Sequence, residues 1–311
     1  MFTVAFGIAS GLTAAFFSSI SYLVSRHYGT RSSGGSRRLL VTAHVLMGCL
    51  CSPVAVVLFP GEASPAVLVS RAVWLPCLIS TGAYFAGTSC VFRLLTRADA
   101  SRLSPLLGLK IVALALIVTL VLRQPLGGQH WLAVGLCGVA AIALQRGGSG
   151  LPTGSLCLLV VGCFCFAAAD LGIVSLIDGL QQQLPVSRLY AGTLAMTITY
   201  ALGGLIVLPL FFAETRRRPF SVNDWQAAGK YAAAWLAAMV ALYACIGAVG
   251  VVLSTILQST RGLISVVLGV VLARRGWHEL ETRVDRGLFL KRVIAAVLMS
   301  AAIAVYVTAG R

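Results

Sequence analysis

The chain has 311 residues, of which 59% are apolar and 11% are charged, and its mean hydropathy is +0.93. A soluble domain carries about 25% charged residues, so this composition excludes a soluble globular fold. The net charge of +15 does not indicate nucleic-acid binding, because the basic residues form short clusters between apolar runs, as in membrane proteins. The composition therefore predicts an all-α integral membrane protein.

Ten apolar runs of about 20 residues each follow one another along the chain. The first run lacks a basic N-terminal region, so an uncleaved helix is expected rather than a signal peptide. Only Gly247 to Gly250 separate the eighth run from the ninth, which leaves nine helices as the alternative count. The predicted transmembrane helices are 3–24, 39–59, 72–92, 103–122, 130–145, 154–177, 189–213, 230–248, 250–272 and 290–309.

The distribution of lysine and arginine predicts the orientation of the chain. Of 24 such residues, 18 fall in the odd-numbered connections and four in the even-numbered connections and termini. Because cytoplasmic loops are enriched in basic residues, we expect odd connections in the cytoplasm and both termini outside a bacterial-type inner membrane. The 18 residues are Arg26, Arg31, Arg37, Arg38, Arg93, Arg97, Arg102, Arg146, Arg216, Arg217, Arg218, Lys230, Arg274, Arg275, Arg283, Arg286, Lys291 and Arg292.

The chain also matches itself weakly at an offset of about 150 residues. Arg38-Leu39 corresponds to Arg188-Leu189, and each pair opens an apolar run that ends near a proline. Five helices per half reverse the direction of the second half in the membrane, and inverted repeats of this kind are typical of secondary transporters. We therefore predict two inverted five-helix repeats, residues 1–150 and 151–311. In this register Lys110 corresponds to Thr260, one residue before Arg261.

Two stretches of the first half, and a second copy in the other half, carry a family resemblance. The first stretch runs from Ala83-Tyr-Phe-Ala-Gly-Thr-Ser to Pro105, the second is Gln129-His-Trp-Leu-Ala-Val-Gly, and the copy begins at Ala241-Leu-Tyr-Ala. This pattern of small residues and helices resembles the EamA-type repeat of the drug/metabolite transporter superfamily. The resemblance implies a ten-helix transporter and specifies architecture better than substrate.

The sequence departs from that family pattern in two places. Arg123-Gln124-Pro125 stand where an acidic residue is expected, and Lys110 stands where the family has an apolar or proline-containing turn. The family is also commonly drawn with cytoplasmic termini, whereas the charge distribution of this chain favours external ones.

Lys110 and Arg261 are lone cations inside long apolar runs. A charge at that depth costs at least ~2.5–3.5 kcal/mol on insertion scales, so it normally faces a partner or a water-filled cavity. Lys110 lies about 10 Å from the start of its predicted helix, so its side chain could also reach the headgroups. Arg261 lies near the middle of its run. If both face a cavity, they favour a substrate that carries a carboxylate, phosphate or sulfonate.

Asp170 is the acid placed well inside a predicted span. An intramembrane acid is by default a functional candidate. It is predicted either to carry protons or to neutralise a buried cation, with a salt bridge to Arg261 as the simplest structural role.

Three further residues are candidates for the substrate site. Gln258 precedes Arg261 by three positions, so it could present its amide beside the guanidinium. Tyr84 and Trp235 correspond at an offset of 151 and are predicted to form opposed aromatic walls, with lipid-facing positions as the alternative. Gly7 with Gly11, and Gly82 with Ala86, are expected to permit close helix crossings.

Motifs for other chemistry are missing from the sequence. The four histidines are scattered, and no zinc-protease or phosphate-loop motif occurs. The nine cysteines all lie in apolar runs without a C-x-x-C, which favours free structural thiols and no metal site. We therefore expect no enzyme, no cofactor and no nucleic-acid partner.

The patterns together predict a secondary transporter of a small polar or anionic metabolite, working by alternating access. Arg261 and Lys110 would hold the anionic group, Gln258, Tyr84 and Trp235 would line the site, and Asp170 would couple protons or balance charge. The alternatives are an exporter of amphipathic or aromatic compounds with Arg261 salt-bridged to Asp170, a lipid-linked-sugar flippase subunit, and a membrane scaffold without a polar cavity. Either a monomer or a homodimer in the lipid bilayer fits the sequence. The sequence does not identify the substrate, the direction of transport or the coupling ion.

Overall fold

The computed structural model describes residues 2–31, 35–98, 100–123, 125–146 and 152–274, with single helical positions between 287 and 305. Every regular element in these residues is helical. The helices are α1 Phe2–Arg31, α2 Gly35–Leu58, the short α3 Ala66–Val69, α4 Arg71–Leu95, α5 Ala100–Leu106, α6 Lys110–Leu116, α7 Gly128–Arg146, α8 Thr153–Gln183, α9 Arg188–Arg217, α10 Val222–Ser259 and α11 Arg261–Arg274.

Seven stretches of the described chain are long and apolar enough to cross a membrane, which fits a multi-pass membrane protein. They correspond to seven of the ten predicted spans. The tenth predicted helix, 290–309, lies outside the described residues except for single helical positions. The seven stretches are Val4–Gly29, Gly35–Leu58, Arg71–Leu95, Leu103–Val121, Thr153–Gln183, Arg188–Arg217 and Val222–Val249.

The predicted boundary between the eighth and ninth helices coincides with a bend inside α10. The backbone of α10 is helical on both sides of Gly247 to Gly250, and its membrane-length apolar stretch ends at Val249. However, the Ser254 hydroxyl donates to the Cys245 thiol at 3.1 Å, whereas nine residues of straight helix advance by about 13 Å. The helical backbone therefore bends back sharply between these two residues. The segment after the bend is helical up to Ser259, and α11 begins at Arg261.

The predicted fourth helix, 103–122, is not one regular α-helix. It consists of α5, a 3₁₀ turn at Leu107–Leu109, α6 and a π-helical turn at Ile117–Val121. Pro105 lies in the last turn of α5 and lacks the backbone N–H that would bond to the Ser101 carbonyl, which weakens the short helix just before the 3₁₀ turn. Lys110 is consequently the first residue of a new helix, in the interior of the predicted span.

Long antiparallel helix pairs build the bundle. Helix α1 packs along α10, helix α4 packs along α8, and α2 crosses α9. At the α2–α9 crossing a Cβ on Gly48 would lie 2.6 Å from the Gly204 Cα, so both positions need glycine. Gly7 and Gly11 face α10 at similarly close range, as predicted, but a Cβ on Gly82 would meet no atom within 4 Å, so the crossing predicted there was wrong.

At one end of the bundle a buried arginine joins α2 to the connection between α9 and α10. The Arg38 guanidinium donates to the Asp224 carboxylate and to the carbonyls of Arg218 and Pro219, each at 3.0 Å. Asp224 in turn accepts a hydrogen bond from the Ser221 backbone N–H at 2.7 Å and closes the capping box that begins α10. This network fixes the ends of three helices in position.

Candidate functional site

The interior of the bundle contains a polar cavity of about 50 Å³, room for a few water molecules. The scaffold alternative predicted no polar cavity, whereas the described residues enclose one. The predicted residues Lys110, Arg261, Asp170, Gln258, Tyr84 and Trp235 all line this cavity, together with Tyr22, Ser80, Phe166, Ala169, Ile173, Thr199, Tyr200, Met239, Leu242 and Tyr243.

Both intramembrane cations begin a helix that follows a break. Lys110 is the first residue of α6, after the 3₁₀ turn, and Arg261 is the first residue of α11, after the turn at Thr260. The two breaks touch, because a Cβ on Gly262 would lie 3.3 Å from the Pro105 Cα. Both cations therefore begin helices in one region of the bundle, and the register that matches Lys110 to Thr260 stays a prediction. Each cation adds its charge to the positive end of a helix dipole.

Lys110 has partners inside the protein. Its ammonium Nζ lies 2.9 Å from the Asp170 Oδ2 and 2.9 Å from the Gln258 Oε1. The Lys110 side chain is 14% exposed and that of Asp170 is 36% exposed, so the ion pair is accessible from the cavity. The alternative in which Lys110 only reaches toward the headgroups was wrong. The sequence suggested that Gln258 presents its amide beside Arg261; in the structure the amide oxygen accepts a hydrogen bond from Lys110.

Arg261 has a different environment. Its guanidinium donates to the Tyr22 hydroxyl at 3.2 Å and lies over the Tyr22 ring, with 5.1 Å from Cζ to the centroid. Its Nε is buried and has no hydrogen-bond partner among the described residues. The expected salt bridge to Asp170 was therefore wrong, because that carboxylate pairs with Lys110. Within the described chain Arg261 keeps an uncompensated positive charge.

The fold also supports Arg261 through its backbone. The Ser19 hydroxyl of α1 shares its proton between the Ala15 carbonyl at 2.9 Å and the Arg261 carbonyl at 3.3 Å, and it accepts a hydrogen bond from the Ser265 hydroxyl at 3.1 Å. The side chains of Ser19 and Ser265 are both buried. The start of α11 is thus held against α1, which also carries Tyr22.

Aromatic side chains form one wall of the cavity. The rings of Tyr84 and Trp235 stack on each other, with 5.6 Å between centroids and 26° between planes. They form one wall and not the two opposed walls that the sequence predicted. Tyr22 stacks on the same indole at 6.2 Å, and the indole N–H donates to the Tyr200 hydroxyl at 2.6 Å.

Sequence reasoning missed Tyr22 and Tyr200, which complete this wall. Nothing in the local sequence marks them, since each is an isolated tyrosine in an apolar run. A signal was present on α10, where Tyr231, Trp235, Met239 and Tyr243 recur every four residues and so share one helix face.

Among the described residues no group of three or more His, Cys, Asp or Glu side chains could hold a metal ion. No family model matches the chain, and no curated protein matches it. One solved structure, described as "Crystal structure of protein", is similar with a TM-score of 0.49 and 16% identity over 95% of each chain. A likeness of that strength supports no inference about function. The fold and site define the chain only as an all-α, multi-pass membrane protein with a polar internal cavity.

Proposed function

We propose that this protein is a secondary transporter that moves a small anionic metabolite across the membrane by alternating access. The observation that carries the proposal is Arg261, a cation in an internal cavity that lacks a carboxylate partner within the described chain. Leaving such a charge unpaired in the membrane is costly, and an anionic substrate would offset that cost. A guanidinium suits this task because it binds oxyanions through a fixed fork of N–H groups.

The proposed mechanism rests on two inverted five-helix repeats, 1–150 and 151–311, as in the EamA-type transporters that the sequence resembles. The pairing of helices supports it. If the two repeats are exchanged, α1 takes the place of α8 and α10 takes the place of α4, so the α1–α10 pair becomes the α8–α4 pair. The same exchange turns the α2–α9 pair into itself. The contact between the breaks before Lys110 and Arg261 lies at the interface of the two halves. Transporters of this architecture bind substrate at such an interface and rock the halves around it.

The test is uptake into proteoliposomes of a panel of carboxylated, phosphorylated, neutral and cationic solutes. We expect saturable uptake of one or more anions by the wild type and its loss in Arg261→Gln. The matched control is Arg188→Gln, which removes a partly exposed cation paired with Asp178 outside the cavity. Anion uptake that is unchanged in Arg261→Gln would refute the proposal.

We also propose the orientation that the basic residues favour, with odd connections in the cytoplasm of a bacterial-type inner membrane. Single cysteines introduced at Arg217 and Glu62 in a cysteine-free background test it, because the two residues lie in connections of opposite parity. A membrane-impermeant thiol reagent added outside intact cells should label the Glu62 position and not the Arg217 position. The opposite labelling would reverse the orientation.

A flippase for lipid-linked sugars is the second candidate, and a separate observation favours it. A larger cavity of about 670 Å³ lies between α1, α10 and α11. Its wall combines apolar residues such as Leu23 and Val24 with the cations Arg218 and Lys230. This combination suits a lipid tail with an anionic headgroup. Translocation of a fluorescent lipid-linked diphosphate in the same proteoliposomes, without uptake of soluble anions, would favour this candidate over the first.

A further inference from the structure

The central cavity is small, and its size limits what it can enclose. Its volume of about 50 Å³ holds a few water molecules. The indole of Trp235 is 4% exposed and offers no free ring face to a solute, because Tyr22, Tyr84 and Tyr231 already stack on it. In the state that the structure shows, the cavity therefore admits a solute of one or a few atoms and no larger organic molecule.

The charge inside this small volume is not balanced by the protein. The ammonium of Lys110 lies 2.9 Å from the Asp170 carboxylate and an equal distance from the Gln258 amide oxygen. The partners of Arg261 in the described chain are the hydroxyl and the ring of Tyr22, which are both neutral. Two cations and one carboxylate among the described lining residues leave a net charge of +1. One monovalent anion would make the cavity neutral.

Hydrogen-bond donors without an acceptor accompany the unbalanced charge. The Tyr22 hydroxyl accepts a hydrogen bond from Arg261, and its own proton has no acceptor among the described residues. The Arg261 Nε and the Tyr84 hydroxyl are buried and have no partner there either. Buried polar groups are almost always paired. Helix α11 begins at Arg261, so the partial positive charge of its N-terminus favours an anion in the same place.

We propose that the central cavity binds one small inorganic monoanion, such as chloride, in contact with the Arg261 guanidinium and the Tyr22 hydroxyl. A halide ion is little larger than a water molecule and accepts hydrogen bonds from several donors at once. It neutralises the cavity while no larger solute is bound. This inference goes beyond the proposed function and does not depend on it. A larger anion requires the cavity to widen and competes with chloride for Arg261.

Equilibrium binding of radioactive chloride to the purified full-length protein in detergent tests the proposal. We expect saturable binding of a single chloride per chain. At equal ionic strength, unlabelled bromide and nitrate should displace it, because both are small and monovalent. Sulfate and gluconate should not, since sulfate brings a second charge and gluconate exceeds the volume of the cavity. Displacement by gluconate as effective as that by bromide would show that the bound ion lies outside this cavity.

Three variants test the residues that are assigned to the ion. Arg261→Gln removes the uncompensated charge and should weaken chloride binding at least about tenfold. Tyr22→Phe keeps the ring over the guanidinium but removes the hydroxyl donor, and should weaken binding about fivefold. Asp170→Asn raises the cavity charge to +2 and should tighten binding. Arg188→Gln is the control, because its cation pairs with Asp178 outside the cavity, and it should leave the affinity unchanged.

The outcomes separate this inference from the proposed function. Chloride binding that Arg261→Gln leaves unchanged would belong to another part of this chain of net charge +15 and would overturn the inference, as would the absence of saturable binding. Where Arg261→Gln fails to fold, Tyr22→Phe and the competition on the wild type decide. Uptake of an anionic metabolite without chloride binding refutes the inference alone, and chloride binding without such uptake refutes the proposed function alone.

Discussion

Lys110 and Arg261 each begin a helix after a break and line the same cavity, yet only Lys110 has a carboxylate partner in the described chain. Lys110 pairs with Asp170 at 2.9 Å, whereas Arg261 contacts the hydroxyl and ring of Tyr22. One cation is thus neutralised by a carboxylate of the described chain and the other is not.

The shape of the cation at position 261 is expected to matter as well as its charge. Arg261→Lys keeps the charge but loses the planar fork of N–H groups, so we expect anion uptake to continue with an apparent KM about tenfold higher. Initial rates over a range of substrate concentrations in proteoliposomes measure this change. Arg188→Lys is the control, and an unchanged KM in Arg261→Lys would mean that the fork geometry is not used.

Removing one member of the Lys110–Asp170 pair should destabilise the protein more than removing both. Lys110→Met leaves a carboxylate without its cation in the membrane interior. A fully buried pair broken in this way costs about 3–5 kcal/mol, and the 36% exposure of Asp170 should reduce this to roughly 1–3 kcal/mol. We expect Lys110→Met/Asp170→Asn to recover most of the loss. Thermal unfolding in detergent checks this, and additive effects would contradict an interaction between the two side chains.

Neutralising Asp170 predicts a change in anion binding with a definite sign. Asp170→Asn removes the negative charge that pairs with Lys110, which makes the cavity more positive. Anion uptake by Asp170→Asn should therefore show a lower apparent KM than uptake by the wild type. Initial rates in proteoliposomes measure the effect, and an unchanged KM would mean that the substrate does not sense this charge.

The neighbouring arginines Arg37 and Arg38 provide a matched pair for stability. Arg38→Met removes a 5% exposed side chain, and with it the cation that pairs with the Asp224 carboxylate and the donor to two carbonyls. Asp224 keeps its hydrogen bond from the Ser221 N–H, and we expect the loss to cost about 3 kcal/mol. Arg37 is half-exposed in its salt bridge with Glu214, so Arg37→Met should cost at most about 1 kcal/mol. Denaturation midpoints of the two variants test the order, and equal losses would rule out a special role for the buried network.

The α2–α9 crossing predicts a similar contrast between two glycines. A Cβ on Gly48 would lie 2.6 Å from the Gly204 Cα, whereas one on Gly82 would meet no atom within 4 Å. Gly48→Ala should therefore separate the helices and cost about 1–3 kcal/mol. Gly82→Ala should be neutral or slightly stabilising. Thermal unfolding of both variants checks the contrast, and a stable Gly48→Ala would show that the crossing can open without strain.

The sequence by itself determined the membrane class and most of the helices, because both depend on local properties. Apolar runs of about 20 residues must become helices in a bilayer, where each backbone group needs an internal partner. The same local reasoning identified Lys110, Arg261 and Asp170, since any charge inside such a run is costly wherever the run packs.

Only the tertiary structure decided which of these charges pair, because pairing depends on helices far apart in the chain. Asp170 on α8 reaches Lys110 on α6, and Tyr22 on α1 reaches Arg261 across 239 positions of sequence. The packing of the helices brings the breaks before Lys110 and Arg261 together and so places both cations in one cavity.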